Sequence, residues 1–208
     1  MTNDSERRKV FDAIAASLAT LDGEPTPLPD YDESFCVSER RLQAGTLWEN
    51  FAANFVAVNG RTLRSTADLA AYLKENGYLR GFCDPALETD VGSHLAREGI
   101  EVLHTFDRSR IDDYAFGITR ASGAIAESGS LVLNDDDTVH RLAALAPWVH
   151  VAVLREQDIV RTIPDGIARL GPCSHVVWVT GPSKTGDIEG ILIEGVHGPG
   201  VQICLCLG

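Results

Sequence analysis

Three short stretches of this chain combine residue types that can move protons, attack electrophiles or hold anions with glycines that let a ligand reach the backbone. The first is Ala126-Glu127-Ser128-Gly129-Ser130, a carboxylate beside two hydroxyls. It can supply a base, a nucleophile or hydrogen-bond acceptors; it equally fits a tight turn with a solvated glutamate. The second is Gly181-Pro182-Ser183-Lys184-Thr185-Gly186-Asp187-Ile188-Glu189, which follows the apolar run Val176 to Val179. Its amides, hydroxyls and single cation suit an anionic ligand, although Asp187 could serve only as a helix N-cap. The third is Gly195-Val196-His197-Gly198-Pro199, a rigid turn presenting an imidazole. Such a group exchanges protons near neutral pH, or packs as an ordinary turn histidine. His150, in an apolar run after Pro147, could face the same ligand edge. Glu127 and His197 are thus the catalytic candidates. Ser128, Gly129, Ser130, His150, Gly181, Ser183, Lys184, Thr185, Asp187 and Glu189 are the ligand-binding candidates.

Several chemistries are disfavoured. Lys184-Thr185 follows a strand-like run, yet Ser183 and Trp178 stand where a phosphate loop needs its two glycines. No G-x-G-x-x-G follows a predicted first strand, so dinucleotide-dependent hydride transfer is not expected in this chain. His94, His104, His140 and His175 lack metal-ligand spacing, and no metal site is expected. The 5 cysteines, Cys36, Cys83, Cys173, Cys204 and Cys206, contain no C-x-x-C. They read as reduced thiols, with neither a disulfide framework nor an iron–sulfur cluster. Cys204 and Cys206 alternate in Val201 to Leu207 and should share one face of a strand.

The elements that must position these groups read as one α/β domain behind a helical appendage. The chain has 208 residues and is 44% hydrophobic, enough for one sizeable core. Lys and Arg total 18 against 30 Asp and Glu, and the net charge of −12 repels phosphate backbones and anionic lipid. Nucleic-acid binding and membrane insertion are therefore not expected. The N-terminal residues lack the basic-then-apolar order of a signal peptide, and a cytoplasmic protein is the expectation. Val10, Phe11, Ile14, Ala15, Leu18 and Leu21 have helical spacing, and proline alternates with polar residues in 23–30. We expect an amphipathic helix and linker over 1–33, then the main domain over 34–208.

Within that domain, Leu42, Leu47, Phe51 and Phe55 predict a helix running into a strand Phe55 to Val58, closed by Asn59-Gly60. Thr66 to Asn76 and the segment from Asp84-Pro85 to Gly99 predict helices. Strands are expected at Tyr78 to Cys83, Ile100 to Phe106, Trp148 to Leu154, His175 to Thr180 and Val201 to Leu207. Residues 116–133 predict two strands flanking a glycine-rich centre, and a helix is expected from near Asp158. Alternating helices and strands imply a largely parallel sheet, with the three polar clusters at strand ends, where such sheets bind ligands.

The clusters Ala126 to Leu133, Pro147 with His150, Gly181 to Glu189 and Gly195 to Pro199 together resemble the LUD-domain family, in its lactate-utilisation protein C group. The resemblance covers about residues 50–208. It implies an α/β fold similar to the sugar-phosphate isomerase, CoA-transferase and 5-formyltetrahydrofolate cyclo-ligase group. It also implies a part in oxidising L-lactate to pyruvate beside partner proteins that carry iron–sulfur clusters, with no cofactor in this chain itself. The family commonly has Thr at Ser128 and Ser130, Arg at Lys184 and Ala at Gly186. Hydroxyl and charge survive these changes, but lysine gives up bidentate recognition of an oxyanion. The same fold kinship leaves open a free-standing transferase or isomerase acting on a CoA thioester, folate or sugar phosphate, with Glu127 as nucleophile or base. A regulatory module that binds the ligand without turning it over is a third class.

Overall fold

Helix-start chemistry sets the first described helix of the main domain. Thr46 and Glu49 form a reciprocal capping box, Thr46 Oγ1 accepting from the Glu49 amide at 3.1 Å and Glu49 Oε2 from the Thr46 amide at 2.7 Å. In this computed structural model, which describes residues 3–19, 42–135, 137–138, 140–170, 175–186 and 191–208, the box opens helix α2, Leu47–Ala57. Helix α1, Asn3–Ala19, precedes it. The predicted linker, Cys36, Cys173, Asp187 and Glu189 lie outside the described residues, as does any helix start near Asp187.

The chain divides into two units, Met1–Cys36 and Val37–Gly208. In the first, α1 leaves Val10, Phe11, Ile14 and Leu18 exposed. The second holds every sheet found among the described residues. Six strands form one wholly parallel sheet: β1 (Arg61–Leu63), β2 (Arg80–Cys83), β3 (Glu101–Leu103), β4 (Phe116–Arg120), β7 (Val149–Arg155) and β12 (Val201–Leu207), in the order β1-β12-β7-β4-β2-β3. A second sheet, β8-β5-β6-β9, is mixed, built from β5 (Gly123–Ile125), β6 (Ser130–Asn134), β8 (Ile159–Val160) and β9 (Val176–Val179). β10 (Lys184–Gly186) and β11 (Leu192–Glu194) pair as a separate antiparallel hairpin.

Helices α3 (Thr66–Glu75) and α4 (Ser93–Arg97) cover one face of the parallel sheet. There Leu69, Leu73 and Leu95 pack on Ile118, Val151, Ile203 and Leu205. On the other face Ala152, Leu154, Cys204 and Cys206 meet Phe51 and Phe55 of α2 and Ala124, Leu131 and Leu133 of the second sheet. Each fully buried large apolar side chain contributes about 1.5–3 kcal/mol relative to exposure. Helix α5 (Arg141–Leu145) packs beside β4, and the absence of a side chain at Gly117 lets the Ala143 carbonyl approach. Helix α6 is Ile163–Leu170.

Three predicted elements are corrected. Phe55, Val56 and Ala57 are helical rather than extended, because Phe51 and Phe55, one helical turn apart, stack at 5.3 Å and are both fully buried. The chain turns at Asn59, whose φ is +70°, and the strand begins at Arg61. Residues near Asp158 form a short turn and then β8; the helix begins only at Ile163, after Thr162 and Asp165 satisfy its first turn. The glycine-rich middle contains three strands, not two.

Candidate functional site at the end of helix α2

The three polar motifs gather around the C-terminal end of α2. Asn54 Nδ2 donates to the carbonyls of Ala126, at 2.8 Å, and Glu127, at 3.3 Å. Gly129 has φ +64°, and a Cβ there would lie 2.5 Å from the Phe55 nitrogen, so this turn needs glycine both for its conformation and for its contact with the helix. Gly181 packs on the Val58 carbonyl. Lys184 Nζ donates to that same carbonyl at 3.1 Å and lies 3.5 Å from Glu194, which accepts from Asn59 Nδ2 at 2.7 Å. Ser183 ties the second motif to the third: its amide donates to the Pro199 carbonyl and its carbonyl accepts from the Gly195 amide, both at 2.9 Å.

A row of hydroxyls joins the first two motifs. Ser128 Oγ donates to Ser130 Oγ at 2.8 Å, and Ser130 Oγ meets Thr180 Oγ1 at 2.6 Å. Ser130 is buried, Ser128 is half-buried and Thr180 is exposed, so the row reaches water at Thr180; Lys184 and His197, in the second and third motifs, are exposed as well. Such a set can hold an oxyanion and pass a proton. Its position departs from the expected strand-end rule in one respect. The first two motifs follow strands of the second sheet, but 195–199 precedes β12, and Gly195 and Gly200 pack on Trp148 just before β7. The third motif therefore occupies the amino-terminal edge of the parallel sheet.

Glu127 is 2% exposed. Its Oε1 accepts from the Ile163 amide at 2.7 Å, placing the carboxylate at the positive end of α6, while Oε2 is buried without a hydrogen-bond partner among the described residues. His150 is fully buried between β4 and β12. Its Nε2 meets Thr119 Oγ1 and its Nδ1 meets Gln202 Oε1, each at 2.9 Å, and burial lowers its pKa to about 4. Both ring nitrogens are thus used inside the protein, and the imidazole is neutral at physiological pH. Burial pushes the Cys83 thiol up to about 12 and raises Cys204 and Cys206 as well. Among the described residues no group of three or more His, Cys, Asp or Glu is placed to hold a metal ion, and no helix is long and apolar enough to cross a membrane.

Sequence reasoning missed Asn54, Asn59 and Glu194 as site residues. Thr180 opens the polar stretch that continues through the second motif; Asn54 and Glu194 lie in a helix and a strand whose patterns report only packing, and Asn59 reads in the sequence as a turn residue alone.

The family profile of the LUD domain matches residues 67–206. "Lactate utilization protein C" of Deinococcus radiodurans is 32% identical over 120 residues, 55% of each chain. The protein of the same name from Bacillus subtilis is 35% identical over 123 residues, 55% of this chain and 49% of its own. That of Anoxybacillus flavithermus is 29% identical over 160 residues, 70% of each. The chain spans about half the length of the first two relatives. The crystal structure of a DUF162 family protein from Deinococcus radiodurans superposes with a TM-score of 0.56 at 23% identity, covering 78% of this chain and 96% of that one, which shows a shared fold. With the profile spanning most of the main domain and all three motifs inside it, the chain belongs to the LUD-domain family.

Proposed function

We propose that this chain is the cluster-free subunit of a cytoplasmic L-lactate-oxidising assembly. In this reading it binds a small organic anion on the face where the three motifs meet, and partner proteins carrying iron–sulfur clusters take the electrons. The hydrogen bonds that join Ser128, Ser130 and Thr180, set Lys184 on the Val58 carbonyl and tie Ser183 to the third motif support the site, with Thr185 and His197 assigned to it as members of those motifs. The relatives named for lactate utilisation support the process. Oxidation of a 2-hydroxy acid to a 2-keto acid releases two electrons and two protons. Lys184 would attract the carboxylate as a point charge, exchanging its contacts with Val58 and Glu194 for the ligand. The hydroxyl row would bind the substrate's oxygens, and the exposed His197 would carry a proton to water. Asp187 and Glu189 belong to the same motif and complete the proposed binding set. Electron transfer lies in the partners, so no cofactor is assigned to this chain.

The test is purification of the tagged chain at native level, with identification of co-eluting proteins and assay of iron and lactate oxidation. Stoichiometric iron–sulfur partners with lactate-dependent activity support the reading. An assembly fully active on lactate without this chain overturns it. The unpartnered Oε2 of Glu127 favours one alternative, a transferase with Glu127 as nucleophile. Turnover by the isolated chain that survives Glu127→Gln would reject that assignment.

A further inference from the structure

The parallel sheet has a second, differently built recess at its opposite edge. From β2 the chain passes to β3 on one side, and from β4 it passes, by way of the second sheet, to β7 on the other. Adjacent strands whose connections leave in opposite directions open a crevice at their carboxyl ends, where α/β sheets bind small molecules. A cavity of about 390 Å³ lies there, walled by the ends of β4, β7 and β12 and by the turn that follows β2. No motif read from the sequence reaches it.

Two guanidinium groups face this cavity. Arg120 ends β4 and Arg155 ends β7; Arg120 is in register with Val153, so both arginines lie on the same face of the sheet. Among the described residues each has one acidic neighbour at long range, Asp137 at 3.6 Å and Asp90 at 3.7 Å, and neither pair is a hydrogen bond. The planar donors of both side chains therefore remain available for an oxyanion, which guanidinium binds in a bidentate fashion. The opposite wall is the π-helical turn Glu88–Gly92, a rare conformation that recurs at functional sites. It brings Thr89 and Asp90 to the cavity, and His94 follows from α4. Arg120 also lines an adjoining cavity of about 200 Å³.

We infer that this crevice is a binding site for a small oxyanion bearing a hydroxyl, with Arg120 and Arg155 holding the anionic group and Thr89 and Asp90 the hydroxyl. The donor chemistry fits that class: neither Asp137 nor Asp90 takes up a guanidinium hydrogen bond, so both planar forks can turn to an oxyanion, and Asp90 can accept from a hydroxyl while remaining near Arg155. A phosphate group and a carboxylate share this recognition chemistry. The site is independent of the motif face.

Amide-resolved NMR titration of the 208-residue chain tests it, with inorganic phosphate in one arm and L-lactate in the other. The expected result is saturable shifts centred on Thr89, Asp90, His94, Arg120 and Arg155 in at least one arm. Either Arg120→Gln or Arg155→Gln should weaken that binding by roughly tenfold or more. Both arginines are half-exposed, so the variants should keep the wild-type melting temperature; Thr89→Val offers a second probe of the wall and should weaken L-lactate more than phosphate. Shifts in only the phosphate arm assign the site to phosphate compounds, and shifts in only the lactate arm assign it to hydroxy acids. An absence of saturable shifts at the crevice in both arms overturns the inference, as does binding unchanged in the double arginine variant. Lactate oxidation by the whole assembly, measured separately, bears on the motif face alone.

Discussion

Individual side chains make distinct predictions because burial separates their roles. His150 titrates at about 4 when folded, against 6.5 for an ordinary histidine. Between those values the unfolded chain binds a proton that the native protein refuses. Stability should therefore hold above about pH 6.5 and fall by about 3 kcal/mol as pH drops through the window toward 4. Urea unfolding across this range should show that slope, and His150→Gln should remove most of it; an unchanged slope would locate the acid sensitivity elsewhere. Glu127 anchors the start of α6, so Glu127→Ala should cost about 1–3 kcal/mol, with Glu127→Gln costing less because its carbonyl can still accept from Ile163. Equal losses in the two variants would mean that the hydrogen bond is not what Glu127 contributes. Cys83 and Cys204, with thiols raised by burial, should resist alkylation at neutral pH until the protein unfolds, as peptide mapping of modified cysteines would show.

At the scale of elements, the end of α2 is the common support of the three motifs. Gly129→Ala would force a side chain into the left-handed region and against the backbone of Phe55. It should cost about 2–4 kcal/mol by strain and overpacking, read as a lower urea midpoint. A melting curve matching wild type would show that the turn does not depend on that contact. Elements with strong local signals were legible in advance. The strand over Val201 to Leu207 and the helix from Thr66 carried their own alternation or caps, and both stand where expected. The end of α2 was not legible, since β-branched and aromatic residues at 55–58 read as strand until Phe55 is seen stacked on Phe51. Hydroxyls and glycines marked the motif face because they are unusual beside apolar runs. The carboxyl-edge crevice stayed hidden, because Arg120 and Arg155 are ordinary strand-end residues until topology sets their strands side by side.

For the whole molecule, two polar surfaces stand apart, the third motif of one at the amino-terminal edge of the parallel sheet and the other at its carboxyl edge. One is assembled from the motifs around α2, the other from strand ends and a π-turn. The separate unit with α1 presents Val10, Phe11, Ile14 and Leu18 to solvent. The central claim is that the motif face serves lactate oxidation in company with electron-carrying partners. It is tested most directly by measuring L-lactate-dependent reduction of an artificial electron acceptor by the purified assembly, with wild-type chain, with Lys184→Gln, and with the chain omitted. The account predicts activity with the wild type, a marked rise in the lactate KM with Lys184→Gln, and loss of activity without the chain. Full activity in its absence would contradict it.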